Sequence, residues 1–299
     1  MLNNKSYQEI TDTVISMLQN GKGLAPWHAP WLGNWTVLSH ATGRPYSAIN
    51  QLLIGCQLLI GKSSMDMKSS MEMATFHQIN ECNGRIRRGS HGYKVYFWTM
   101  LEKEEVNKDG ETITKEIPFL KKHIVFDIAD VDGMSPKWLN KTKDPKTIAD
   151  AETLINNYAK RENISIVHTS STKAFYSVTK DFINVPSIEK FMDSRLYLST
   201  LAHEAVHSSG HYRRLNRFRP NEKTTEFGSE DYSREELIAE LGSAFFLNKM
   251  GIDNKRTVKD SASYIKSWIN ALRNDVSLLP IAAGKAERAV QYICGETLK

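Results

Sequence analysis

The run Ser199-Thr200-Leu201-Ala202-His203-Glu204-Ala205-Val206-His207 contains the pattern H-E-x-x-H. On a helix, residues four apart share a face, so His203 and His207 can hold one ion through their ring nitrogens. Glu204 is offset by one residue, which lets it reach a water at the metal and take its proton as general base. The bland alternative is a helix with two surface histidines and a solvated carboxylate. Leu196, Leu198, Leu201, Ala202, Ala205 and Val206 argue against it, because polar groups set in an apolar helix need a partner.

A zinc site of this kind takes a third protein ligand. His211 falls eight residues after His203, whereas the metzincin pattern wants a histidine ten residues on. The run Tyr232-Ser233-Arg234-Glu235-Glu236-Leu237-Ile238-Ala239-Glu240-Leu241 offers carboxylates instead. Ser233 reads as an N-cap and Glu236 as its capping-box partner, which is the purely structural reading. Yet Glu236 and Glu240 share a face on a helix whose Leu237, Leu241, Ala244 and Phe245 point to a core, and paired carboxylates there call for a cation. The gluzincin layout has a Glu ligand on a second helix and an acid one turn later that orients a ligand histidine. We therefore expect Glu236 as ligand and Glu240 behind it, with the reverse left open. Glu235 reads as a solvated acid that favours the helix dipole.

These residues must be carried by regular elements. Helical periodicity covers 6–20, 46–60, 71–83, 147–161, 192–209, 233–249, 257–274 and 281–294. Strands are expected at 94–98, 119–128, 164–168, 174–178 and 181–186. Residues 102–116 read as a charged hairpin or loop, and the Lys-rich stretch 135–146, with Pro136 and Pro145, reads as a linker. The pattern is α+β: a small sheet precedes the helices of the second half. The 299 residues divide into two domains, 1–138 and 139–299.

Composition narrows the class. The chain is 40% hydrophobic and 24% charged, which is globular rather than disordered or collagen-like. Three scattered cysteines, Cys56, Cys82 and Cys294, exclude a disulfide scaffold and a Cys-based zinc finger. No basic segment followed by an apolar one opens the chain, and the apolar run 52–60 is too short to span a bilayer. The expectation is a cytoplasmic protein without a membrane partner.

The formal charge is +5, and residues 1–101 hold nine Lys+Arg against five Asp+Glu, so most of the excess sits there. Arg85, Arg87, Arg88 and Lys94 are candidate phosphate contacts, with Arg44 as a further one. Trp27, Trp31, Tyr46 and Trp98 are candidate stacking platforms for unpaired bases. The competing reading puts the tryptophans in a core and the arginines on a solvated turn.

At this point a family resemblance emerges. Gly23-Leu24-Ala25-Pro26-Trp27, Thr42-Gly43-Arg44-Pro45-Tyr46-Ser47-Ala48-Ile49-Asn50, Thr75-Phe76-His77-Gln78 and Gly84-Arg85-Ile86-Arg87-Arg88-Gly89 resemble the N-terminal domain of ArdC-type antirestriction proteins. So do Val125-Phe126-Asp127 and Asp132-Gly133. The run from His203 to His211, Arg214-Leu215-Asn216-Arg217, Phe227-Gly228 and Glu235 to Glu240 are similar to the zincin-like metallopeptidase domain of that family, as are Tyr264 to Trp268 and Asn274-Asp275. The chain departs from the pattern in the serines at 208–209 and in Ser90-His91-Gly92, where a more charged stretch is usual. The resemblance implies a protein of a mobile element whose N-terminal domain binds single-stranded DNA and whose C-terminal domain is a zincin-like metallopeptidase. Zn²⁺ is the expected metal, with Mn²⁺ as an alternative divalent ion, and the substrate is an unknown peptide or protein. Two rival readings are a DNA-binding protein with a structural metal site, and a cytosolic zinc peptidase with no DNA role.

Overall fold

The computed structural model describes residues 4–20, 25–28, 36–61, 70–106, 112–138, 147–169, 171–218, 230–252 and 262–298. Trp31 and most of the expected linker lie outside the described residues. The architecture is α+β: among the described residues, the first half holds a four-stranded sheet and a two-stranded ribbon, the second half a three-stranded sheet, with helices packed between and around them.

The first half is built on a sheet of order β1-β2-β5-β4. β1 (Leu38–Ser39) pairs in parallel with β2 (Glu72–Thr75), which pairs antiparallel with β5 (Thr112–Asp127). β5 pairs antiparallel with β4 (Tyr93–Val106) over a continuous register from Tyr93↔Val125 to Val106↔Thr112. Of the two readings of 102–116, hairpin or loop, the described residues form the hairpin: its two arms are paired strand. The helix expected at 71–83 is split, with β2 followed by α3 (Phe76–Glu81). Pairing with β5 holds 72–75 extended, and a capping box starts the helix only after Thr75: its hydroxyl accepts from the Gln78 amide while the Gln78 side chain accepts from the Thr75 amide. A two-stranded ribbon of β3 (Arg85–Ile86) and β6 (Val131–Asp132) completes this half.

α1 (Asn4–Asn20) buries Ile10, Val14, Ile15, Met17 and Leu18 along one stripe. α2 (Ala48–Gly61) covers the outer edge of β4 with two amide side chains. Asn50 donates to Tyr96 O and accepts from Tyr96 N, both at 2.8 Å. Gln57 accepts from Lys94 N at 2.9 Å and donates to Lys94 O at 3.2 Å. These contacts pair backbone groups that an edge strand would otherwise expose.

The second half has a sheet of order β7-β9-β8: β7 (Ser165–Thr169), β8 (Phe175–Ser177) and β9 (Phe182–Pro186). β7 runs parallel and β8 antiparallel to β9. Around it stand α4 (Ile148–Arg161), α5 (Ser194–Ser209), α6 (Glu230–Lys249), α7 (Ala262–Asn274) and α8 (Leu278–Ile293). α6 starts three residues before Ser233, so Ser233 lies in its first turn and is not the N-cap expected from the sequence. One hydrophobic core joins the halves, running from Ile10, Trp27 and Leu53 to Trp268, Leu279 and Ala283. Among the described residues, no helix is long and apolar enough to cross a membrane.

Candidate functional site

α5 is almost wholly interior: Tyr197, Leu198, Leu201, Ala202, Ala205 and Val206 are buried, and Asp193 caps its start by accepting from the Arg195 amide. α6 crosses it at very short range. A Cβ on Gly242 would lie 2.7 Å from Val206 Cγ2, so only glycine allows this approach. Ser243 Oγ donates to Ser199 O at 2.8 Å, next to that crossing. The crossing brings the first turns of α6 over His203 and His207.

Three ligand-type atoms converge there. His203 Nε2 and His207 Nε2 are 3.0 Å apart. Glu236 Oε2 lies 3.6 Å from His203 Nε2, and its Oε1 lies 3.6 Å from His207 Nε2. Among the described residues, His203, His207 and Glu236 are the group whose donor atoms fall close enough together to share an ion. A tetrahedral ion with bonds of about 2.0–2.1 Å separates its ligand atoms by roughly 3.3 Å, so the spacing fits. The electrostatics fit too. Burial on its own would lower the His203 pKa, but the adjacent carboxylate of Glu236 and the charges of Glu240 and Glu204 lift it to about 9. A pocket that so favours positive charge on an imidazole is one suited to a cation. Glu236 is held below the ordinary carboxylate range by the two histidines, despite burial acting the other way.

Glu204 is buried, and that burial raises its pKa against the opposing charges of His207 and His203. A carboxyl kept from water holds a proton more tightly than a solvated one, which suits a general base.

One expectation about the acids changes. Glu235 is not a solvated helix-start residue. Its Oε1 lies 3.2 Å from His207 Nδ1, and the Arg217 guanidinium meets both its oxygens, at 2.8 and 2.9 Å. Burial would raise its pKa, but the Arg217 charge and the hydrogen bonds from His207 and Arg217 pull it to about 2. Glu240 lies outside the ligand cluster: it accepts from Tyr264 Oη at 3.1 Å and acts on His203 through its charge. Sequence reading missed Glu235 because exposure cannot be read for one acid beside another. The signal available was Arg217, a cation just beyond a buried helix.

His211 is buried outside the cluster and accepts from the Arg213 amide through Nδ1 at 3.3 Å. Beside it, the buried Arg214 donates to Asp181 (2.5 and 3.1 Å), to Tyr176 Oη (2.9 Å) and to Ser208 O (2.7 Å). This network ties β8 to the end of α5. The backbone of Tyr176 also favours the charged form of Glu204, the candidate base.

The nucleic-acid candidates divide. Trp27 is fully buried and packs edge-on against Trp268 with ring centroids 5.8 Å apart. It has no free face for a base, which corrects its assignment as a stacking platform. Tyr46 is also buried, and desolvation pushes its phenol up to about 12. It backs Phe97, which is 41% exposed and edge-on to His123, with Lys121 directly opposite on β5. Phe97, Lys121 and His123 were not anticipated. Trp98, 53% exposed, leans on Tyr7 of α1. Lys94, half exposed, lies 3.8 Å from Glu9, a carboxylate that Lys122 holds at 3.0 Å. Arg87 is exposed and donates to Ala129 O, with Asp130 and Asp132 each at 3.4 Å. Arg44, Arg85 and Arg88 are exposed and make no ion pair among the described residues.

Comparison with known proteins bears on both halves. Residues 4–126 match the N-terminal domain of anti-restriction factor ArdC, and residues 150–285 match a zincin-like metallopeptidase domain. The metal-free crystal structure of the antirestriction ArdC protein from the R388 plasmid superposes with a TM-score of 0.73 at 29% identity, covering 98% of this chain and 99% of that one. Its Mn(II)-bound structure gives 0.71 at 28% identity, covering 96% of each. Among curated proteins, a DNA primase TraC of Escherichia coli is 27% identical over 96% of this chain, which spans only 20% of that primase. The uncharacterized protein y4eC of Sinorhizobium fredii is 26% identical, with 96% of this chain and 91% of that protein covered. The zincin-like domain implies zinc, and the manganese-bound relative supports a second divalent ion in the same fold. Both domains in this order, with a whole-length likeness in fold, make the chain a member of the ArdC-type family.

Proposed function

We propose that the protein is an antirestriction factor of a mobile element that binds single-stranded DNA through residues 1–138 and carries a metal-dependent peptidase site in 139–299. The observation that carries the peptidase reading is the convergence of His203, His207 and Glu236 beside the buried Glu204. In this reading His203 Nε2, His207 Nε2 and one Glu236 oxygen hold the ion. A divalent ion there would supply Lewis acidity, polarising a peptide carbonyl and acidifying water. Glu204 takes the proton of the attacking water on its carboxylate and returns it to the leaving amine. Glu204 is buried among the apolar side chains of α5, which keep bulk water away from it. The peptide or protein cut there is unassigned.

The DNA reading is supported by the ArdC domain match and by the exposed Phe97, Trp98, Lys121, Arg44, Arg85 and Arg88. Aromatic faces stack on bases without sequence preference, and the cations follow the phosphates.

Two experiments test the proposal. Glu204→Ala is assayed for metal content and for protection of incoming unmodified DNA in a restricting host. Retained metal with lost protection supports catalysis, and unchanged protection overturns it. Binding of a fluorescent oligo-dT is titrated with salt. Affinity falling steeply with salt supports the DNA reading, and no binding at low salt overturns it.

A further inference from the structure

We propose that Arg217 and Glu235 form a positioning pair that fixes the tautomer and orientation of His207 and thereby sets the affinity of the site for its ion. The inference rests on the metal-centre reading above and deepens it.

The geometry is that of a built relay. The two ring nitrogens of His207 face two different carboxylates of one helical turn: Nδ1 lies 3.2 Å from Glu235 Oε1, and Nε2 lies 3.6 Å from Glu236 Oε1. Consecutive helical residues point about 100° apart, so adjacent acids can reach opposite sides of one ring. With Glu235 accepting from Nδ1–H, the Nε2 lone pair is left for the ion.

Arg217 holds Glu235 in turn, and Arg217 is itself fully committed. Its side chain is 6% exposed. Nε donates to Glu235 Oε2 at 2.9 Å, and Nη2 to Glu235 Oε1 at 2.8 Å and to Val206 O at 2.6 Å. Nη1 donates to Ser209 Oγ at 3.1 Å. The guanidinium lies across the end of α5 because residue 210 is glycine: a Cβ there would come within 2.8 Å of Arg217 Nη2 and of Phe218 Cε2. The Arg217 amide also donates to Gly210 O at 2.7 Å. The segment after the motif thus folds back and delivers one cation to one acid behind one histidine.

A simpler role for Arg217 is that of a cap on the free carbonyls of α5, with Glu235 only balancing its charge. That role would alter stability equally with and without metal. A positioning role alters the metal-dependent part.

The test uses the full chain with Zn²⁺ and Co²⁺ as probes. Wild type, Glu235→Gln and the double variant Glu235→Gln/Arg217→Met are titrated against a chromophoric chelator. The Co²⁺ visible spectrum is recorded, and Tm is measured with and without metal. The double variant removes both charges together, so no unpaired buried charge is left to prevent folding. The expected result is a metal affinity about 10–100-fold below wild type in both variants, with an altered Co²⁺ spectrum and a smaller metal-induced rise in Tm. Affinities within about twofold of wild type and an unchanged spectrum overturn the positioning role while leaving the metal centre intact. A wild-type chain that binds neither ion overturns both.

Discussion

The close crossing of α5 and α6 at Gly242 is the feature that delivers Glu236 to the histidines, and Gly242→Ala probes it. The new Cβ would stand 2.7 Å from Val206 Cγ2 and 2.9 Å from Cγ1, where carbon contacts ordinarily lie at about 3.5–4.0 Å. Val206 cannot turn away, because a β-branched side chain in a helix has essentially one χ1 well. The helices must therefore part by roughly 1 Å. Overpacking of this kind costs about 1–3 kcal/mol, and alanine's better helix propensity returns about 1 kcal/mol, leaving a net loss of about 0–2 kcal/mol. The larger effect falls on the site. A ligand bond near 2.1 Å does not stretch by 1 Å, so zinc affinity should drop at least about tenfold. Urea unfolding gives the stability and chelator competition the affinity. Val206→Ala in the same chain removes both clashing carbons and should restore most of the affinity. Wild-type affinity in Gly242→Ala, or no recovery in the double variant, would refute the argument.

Trp27→Ala should cost about 3–5 kcal/mol of unfolding free energy, because it empties a fully buried site against Trp268, yet leave oligo-dT affinity unchanged at temperatures where the variant is folded. Phe97→Ala should weaken oligo-dT binding by about 1–3 kcal/mol, and Lys121→Ala should lower the log–log salt slope by about 0.7; equal binding by either variant removes this face as the platform. Asp181→Asn leaves the buried Arg214 unanswered and should destabilise by roughly 2–3 kcal/mol at neutral pH, since Asp181 is itself partly exposed. Although burial acts to raise it, the Asp181 pKa is depressed by Arg214 and Tyr176, so its contribution is full above the unfolded value near 3.9 and is lost as pH falls through the lower folded value. The stability gap between wild type and Asp181→Asn should accordingly close only below about pH 4, which chemical denaturation from neutral pH down to about pH 2 would show.

The helical half was the easier part to read. α4, α7 and α8 carry a strong three-to-four-residue apolar period, whereas α5, buried on nearly every side, is marked by its H-E-x-x-H run. The first sheet was harder, because its pairings are remote: β2 is made a strand by β5, some fifty residues away, against a local pattern that also suits a helix. The β4–β5 arms carry charges at Glu102, Lys103, Lys115 and Glu116 that imitate a loop, and only the partner strand makes them extended. Glu236 could be read from i, i+4 spacing. Glu235 could not, since its role depends on Arg217 folding back over Gly210, a tertiary contact with no periodicity. The tryptophans show the same limit. Trp27 and Trp98 have equal claims as residue types, and only packing separates the core residue from the exposed one.

The central claim is that His203, His207 and Glu236 hold one divalent ion and that Glu204 stands beside it without binding it. Calorimetric zinc titration of the wild type, His203→Ala, Glu236→Gln, Glu240→Gln and Glu204→Gln tests this directly. The account predicts one ion per chain in the wild type, Glu204→Gln and Glu240→Gln, and a loss of at least about tenfold in affinity for His203→Ala and Glu236→Gln. Undiminished binding by Glu236→Gln, with binding lost in Glu240→Gln, would contradict it.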